Sequence, residues 1–379
     1  MTYARARLLI GITAVGLNVL IAVALLLIGA QSLESTIGSA NGGMWIFPVA
    51  YVLWMIPFDF LGGWWLPKRY DRSKQLFGAF MRDWTSGTFL QSLVFLACGA
   101  SLLWAGREAG LWGGVLMLLV LFALLLVLRP FWLQFFSCGS QRDAASDLET
   151  IQQTLAGWGV TCRPIAFRSA PTSGFTGGIV GLVHPQIIFP DQWRRMLTLE
   201  ELASLAARRS ITLTTGSRNL GLVVAAVWTV SAFLAGNWLA NTLQRGPQTM
   251  IELIQVIAGA SLWNFLGLLV LPSLSRFATR RIDGMAVSRV PRDVLQSAQE
   301  KVDRVQDDEP HRPRGVELIF HPVPSVALRK HRELTVEGAV PWHIARQVLF
   351  LSWAICNPLS RAVHCNAGQS LLWICPPTD

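Results

Sequence analysis

Six histidines and six cysteines are the side chains of this 379-residue sequence best suited to hold a metal or move a proton, and their spacing keeps them apart. Two histidines four residues apart on one helix face, with a glutamate between them, would hold zinc beside a general base. No such pair exists, and no histidine at all lies between His184 and His311. The cysteines Cys98, Cys138, Cys162, Cys356, Cys365 and Cys375 include no Cys-x-x-Cys. In the tail, His364-Cys365-Asn366 with Cys356 and Cys375 matches no zinc spacing, so a local packing role is expected there. His184-Pro185 and His321-Pro322 read as turns, with metal binding at His321 as the alternative. Among the charged residues, Asp59 interrupts an apolar run between Phe58 and Phe60, and an intramembrane carboxylate is a functional candidate by default. It lies toward one end of that run, within reach of Lys68 and Arg69 or of lipid headgroups, so anchoring there is expected. Arg208 and Arg209 are expected to flank a span and touch headgroups, with an anion or acidic-peptide site as the sharper reading. Asp283 is expected to pair with its helix neighbours Arg280 or Arg281.

The elements that carry these residues are mostly apolar. The chain is 52% hydrophobic and only 15% charged, with a mean hydropathy of +0.42. A soluble domain carries about 25% charge, so ordinary globular and disordered classes are excluded. Six stretches are predicted to span a membrane: Leu8–Ile28, Met44–Leu66, Gly87–Trp104, Leu111–Leu128, Leu220–Leu239 and Ile251–Leu271. The first is too long for a signal peptide and reads as an uncleaved anchor. Pro57 and Gly62-Gly63 predict a kinked, closely packed second span. Of the 32 Lys and Arg, only Arg107 and Arg245 fall on the side of the loop Gln31–Gly43. The positive-inside rule therefore places the N-terminus and segments 67–86, 129–219 and 272–379 in the cytoplasm. That distribution accounts for the net charge of +9 without nucleic acid. It leaves the bilayer as a partner, with juxtamembrane attraction to anionic lipid. Reduced cytoplasmic thiols make a disulfide framework unexpected.

Between the fourth and fifth spans the pattern predicts a helix over Asp147–Leu155, then strands at Val160–Phe167, Ile179–Val183 and Ile187–Phe189. Turns at Ser173-Gly174, Gly177-Gly178 and His184-Pro185 divide them. Thr198 to Arg209 reads as an amphipathic helix capped by Thr198, with Glu200 and Glu201 in its first turn. After the sixth span follow a basic helix from Ser275 to about Arg289, an amphipathic helix over Arg292–Val305, and a short strand at Val316–Phe320. The apolar run Val348–Cys356 is too short to span and is expected to pack on the domain or lie at the interface. The chain divides on this reading into 1–135 with four spans, 136–219 with the strands, the hairpin 220–271, a second domain part 272–345, and the tail 346–379.

This order of parts resembles the HtpX-type and CAAX-protease-type membrane zinc metallopeptidases over roughly residues 145–330. Leu197-Thr198-Leu199-Glu200-Glu201-Leu202 matches the lead-in to that family's zinc helix. Gly181-Leu182 with Ile187-Ile188-Phe189 matches its edge-strand segment, and Ser275-Arg276 with Asp283 and Ala286 falls at its second ligand helix. His321-Pro322, Ser325 and Arg329 resemble its closing motif. The resemblance implies an α-helical integral membrane protein with a cytoplasmic α+β, zincin-like domain.

It also locates the departure. Where the family has His-Glu-x-x-His this sequence has Arg208-Arg209-Ser210-Ile211-Thr212, and the third ligand position falls on Thr279, with Asp283 alone retained. Arginine neither ligands a cation nor accepts a proton at ordinary pH. Zinc is therefore expected to be absent, and the chain reads as a pseudopeptidase of a bacterial inner membrane. Its work would be binding or regulation, with the strand edge at Ile187 and Phe189 taking an extended peptide or membrane-protein partner by β-addition. Two rivals remain: an active metallopeptidase with substitute ligands such as His184, His321, His343 or His364, and a sensor-transducer or transporter built on Asp59.

Overall fold

The computed structural model describes residues 1–29, 32, 43–139, 145–170, 174–331 and 338–376. Most of the loop at 31–43 and Ser173 of the expected Ser173-Gly174 turn lie outside them.

Among the described residues five helices are long and apolar enough to cross a membrane, and they make this an integral membrane protein. They are α1 (Tyr3–Ile28), a second helix running over Trp45–Arg69, Phe77–Phe136, Ser217–Leu239 and Met250–Val287. The Phe77–Phe136 element joins the third and fourth expected spans. Its backbone leaves helical geometry at Gly110, at φ 64 and ψ −155, a conformation a side chain would oppose. The basic helix expected from Ser275 is the continuation of the sixth span to Val287. The second helix changes character along its length: α2 (Gly43–Phe60) passes through a π turn at Leu61–Trp65 into α3 (Leu66–Arg69). The expected kink is therefore a local widening of the helix, placed where Gly62 and Gly63 are buried.

The chain divides into two compact units. The first comprises Met1–Leu125, Ala225–Gly267 and Val348–Trp373. In it α1 buries a face of small or short residues, Ala4, Gly11, Ala14, Asn18 and Ala22. A Cβ on Gly11 would stand 2.5 Å from the His364 backbone nitrogen, so that face admits the backbone of the C-terminal segment. This segment is the apolar tail. It is helical over Ile344–Leu351 and Ser352–Ile355, turns at Cys356 with φ 53, and adds short helices at Leu359–Ala362 and Ser370–Ile374. It is too short to span, as expected. From Val348 to Trp373 it belongs to the first unit and is almost wholly buried, with Tyr51 Oη donating to the Pro358 carbonyl at 2.8 Å. Irregular backbone among membrane helices persists where protein surrounds it and satisfies its polar groups.

The second unit comprises Leu126–Val224, Leu268–Gln347 and Ile374–Asp379. Its four-stranded sheet runs in the order β1 (Cys138–Gly139), β2 (Ile165–Ser169), β4 (Gln186–Pro190), β3 (Gly178–Val180). β4 lies parallel to β2, with Phe167 opposite Phe189, and antiparallel to β3, with Ile179 opposite Ile187. The expected edge at Ile187–Phe189 is thus the interior of the sheet. Its near-continuous apolar run is what a strand paired on both sides requires. The helix expected at Thr198 extends over Leu199–Thr214 and carries a complete capping box between Thr198 and Glu201. Arg292–Gln306 is helical as read. Val316–Phe320, expected as a strand, is part of the helix Arg314–Phe320, which starts after Pro313. Seven residues are too few for periodicity to separate the two, and the proline start decides.

Candidate functional site

The helix Leu199–Thr214 is fixed at its start. Thr198 Oγ1 accepts from the Glu201 nitrogen at 3.1 Å, and Glu201 Oε2 accepts from the Thr198 nitrogen at 2.8 Å. Glu201 also accepts from Ser297 Oγ at 2.7 Å and Lys301 Nζ at 2.8 Å. Burial raises its carboxyl pKa, but these bonds outweigh burial and hold it below the usual carboxylate range. A helix so anchored sets the direction of Arg208 and Arg209 two and a half turns later.

Both arginines are fully buried, so neither is exposed to meet a headgroup. Arg208 Nε donates to Asp283 Oδ1 at 2.6 Å. Arg329 donates to the same carboxylate from the other side, Nε to Oδ2 at 2.7 Å and Nη2 to Oδ1 at 3.0 Å. Asp283 therefore joins Arg208 and Arg329, and the expected pairing with Arg280 or Arg281 is corrected. On a helix the residue two positions away points elsewhere, and Arg280, three away and within reach by spacing, is displaced by Arg208 and Arg329, which come from other helices and take both carboxylate oxygens. Arg209 is aimed at the sheet. Its Nη1 donates to the Ile188 carbonyl and its Nη2 to the Thr176 carbonyl, each at 2.7 Å. Its guanidinium lies 4.4 Å from the Phe189 ring centre and 5.6 Å from that of Trp193. Thr212 and Thr279 turn back on their own helices, donating to the carbonyls of Arg209 at 2.7 Å and Ser275 at 2.9 Å.

This arrangement is a closed ion cluster. The Asp283 carboxylate is bonded by guanidinium on both oxygens, which lowers its basicity. Among the described residues, no three His, Cys, Asp or Glu side chains gather closely enough to hold a metal ion. His184 is exposed and His343 is fully buried. His321 is 7% exposed, and burial with the nearby Arg312 charge pushes its pKa down to about 3, so it is neutral at ordinary pH.

The first unit holds a second polar centre. Asp59 is 1% exposed and accepts from Trp84 Nε1 at 3.0 Å, from the Gly368 nitrogen at 2.8 Å and from Arg361 Nη2. Its cation is Arg361, in place of the expected Lys68 or Arg69. Arg361, fully buried, also donates to Gln91 Oε1 at 3.2 Å and Thr88 Oγ1 at 3.0 Å, and lies 4.1 Å from the Trp373 ring centre. In the same unit Arg7 donates to the carbonyls of His364 at 2.8 Å and Cys365 at 2.7 Å. Arg361 was missed in the sequence, although a signal existed: Asp59 and Arg361 are each a single charge in a long apolar stretch.

No family model matches this chain, and no curated protein matches it.

Proposed function

We propose that this chain is a membrane-embedded pseudopeptidase, resembling HtpX-type metallopeptidases in arrangement and acting by binding or regulation instead of hydrolysis. The observation that carries the reading is the Arg208–Asp283–Arg329 cluster. On the residue matches above, Arg208 falls at a zinc-ligand position of the family and Asp283 at the retained acidic position. The two are bonded to each other in a buried site. A dication brought to that point would meet two guanidinium charges, a repulsion of several kcal/mol at about 4 Å with intermediate screening. Arg209, at the general-base position, is spent on two backbone carbonyls.

The reading places the protein in a bacterial inner membrane with its N-terminus and second unit in the cytoplasm, on the distribution of Lys and Arg. Its partner would be a peptide or membrane protein. Because Ile187–Phe189 is paired on both sides, that partner is not received there by strand addition. Metal analysis and co-purification from mild detergent test the proposal. The expected result is no stoichiometric zinc and a polypeptide retained with the chain. One zinc per chain together with chelator-sensitive cleavage of unfolded protein would overturn it.

A further inference from the structure

The second membrane helix ends in Trp64-Trp65-Leu66-Pro67-Lys68-Arg69, so each of two consecutive tryptophans is followed four residues later by a cation. Residues four apart share a helix face. Lys68 Nζ lies 5.4 Å from the Trp64 ring centre, and the Arg69 guanidinium carbon lies 5.2 Å from that of Trp65. The π turn at Leu61–Trp65 sets the direction of both indoles, and close contacts fix it. A Cβ on Gly62 would stand 2.8 Å from the Ala367 Cβ, and one on Gly63 would stand 2.5 Å from the Gly368 carbonyl. Lys68 and Arg69 are exposed, and neither has a carboxylate partner among the described residues.

A third aromatic–cation pair continues the surface in the same unit. The Arg72 guanidinium lies 5.8 Å from the Tyr3 ring centre, Tyr3 and Tyr70 rings are 5.8 Å apart, and Tyr70 Oη donates to the Met1 carbonyl at 3.0 Å. Two features oppose an anion here. The carbonyl end of Leu66–Arg69 carries about half a negative charge, and Asp71 is exposed beside it with φ 52. The exposed charges of Lys68 and Arg69 outweigh both. The half-exposed indole of Trp65 and the ring of Tyr70 have the amphipathic character of side chains that settle at headgroup level.

We propose that Lys68 and Arg69, held over Trp64 and Trp65, form with Arg72 a binding site for the phosphate headgroup of an anionic phospholipid. The exposed Trp65 indole faces the glycerol and acyl boundary, Trp64 packs on Phe60 and Phe77 beneath Lys68, and the cations take the phosphate. Stacking on the rings lowers the rotamer freedom that long cationic side chains would otherwise lose on binding. The site rests on the second helix crossing the bilayer and not on the pseudopeptidase reading, so the two fail separately.

The full chain in neutral detergent is titrated with phosphatidylglycerol, phosphatidylcholine or inorganic phosphate while its thermal unfolding is followed. Phosphatidylglycerol should raise the melting temperature in a saturable way, and the other two should not. At about 1 kcal/mol for each cation, Lys68→Gln with Arg69→Gln should raise the half-saturating lipid content about thirtyfold while leaving melting without lipid unchanged. If that double variant does not fold, retention of phosphatidylglycerol over phosphatidylcholine by Lys68→Gln alone, measured by native mass spectrometry, takes its place and should fall about fivefold or more. An equal response to phosphatidylcholine, an undiminished response in the variants, or the same shift with inorganic phosphate alone would each overturn the proposal.

Discussion

Arg208 Nε donates to Asp283 Oδ1 at 2.6 Å across 75 residues of sequence, with the arginine fully buried and the aspartate 5% exposed. Arg329 closes the other side of the carboxylate. Among the described residues one buried carboxylate thus joins two buried cations, and the energetics of the cluster depend on it.

Asp283→Asn should therefore destabilise the second unit by about 3–5 kcal/mol, the usual loss when one partner of a buried ion pair is removed. Replacing all three charges by apolar residues of similar volume should recover most of it, because desolvation of the ions disappears with them. Equilibrium unfolding in detergent measures both. A loss under 1 kcal/mol for Asp283→Asn would mean that the cluster contributes little.

Rebuilding the zinc residues tests the resemblance itself. A chain carrying Arg208→His, Arg209→Glu, Thr212→His and Thr279→Glu removes the guanidinium charge and supplies a His-Glu-x-x-His set with a third ligand. It should bind about one zinc per chain by elemental analysis, where the parent is expected to bind none. If the folded variant takes up no zinc, the correspondence of these positions to a zinc site is wrong.

Asp59→Asn should strand Arg361 in a buried setting and cost about 3–5 kcal/mol, as should Arg361→Gln on the other side. The double variant should lose markedly less than the sum, and a double-mutant cycle reads the difference as the coupling between them. Additive losses would show the pair to be energetically independent. A change in ion flux through vesicles on Asp59→Asn would favour a transport role for this centre.

Gly368 has φ 67, and a Cβ there would overlap the Asp59 carbonyl and stand 2.6 Å from the Gly63 Cα. Gly368→Ala combines backbone strain with overpacking and should destabilise by about 1–3 kcal/mol. Gly157→Ala, at a helix end with open space around it, should be close to neutral. Equal melting temperatures for the two variants would count against the close approach of these backbones.

His321 predicts an acid-side loss of stability. Its pKa is depressed from 6.5 to about 3, so the folded state binds fewer protons than the unfolded one between those values. The contribution is complete above pH 6.5 and is lost as pH falls, by up to about 1.4 kcal/mol per unit. Asp303 acts oppositely. Burial raises it from 3.8 to about 6, with Arg312 offsetting part of that, so its contribution is complete below 3.8 and lost as pH rises through 6. The two slopes oppose each other between about pH 4 and 6. His321→Gln should therefore gain stability on acidification across that window, where the parent stays nearly level, and unfolding curves at pH 4, 5 and 6 check it.

Several elements were legible because local rules decide them. Thr198 with Glu201 fixes a helix start through a capping box complete within four residues, and the apolar stretches are long enough to be helices in any context. Val316–Phe320 failed because a short run of β-branched and aromatic residues is ambiguous until its proline start is weighed. Ile187–Phe189 failed because a strand's place within a sheet depends on partners, and β4, the last strand in sequence, is inserted between β2 and β3.

The sequence by itself determined that no histidine lies between His184 and His311, that two adjacent arginines lie on the helix begun at Thr198, and that Asp59 is a lone carboxylate in an apolar stretch. Those are statements about residue type. Only the tertiary structure decided which charges meet: Asp283 with Arg208 and Arg329, Asp59 with Arg361. Nearby cations such as Arg280, Arg281, Lys68 and Arg69 were the obvious partners by sequence distance. Helix geometry turns Arg281 aside from Asp283, while Arg280, three residues away, could have reached it. Burial then favours whichever opposite charge the fold brings into the same dry space, because an ion pair gains most where water is excluded and an unpaired charge there is least tolerable.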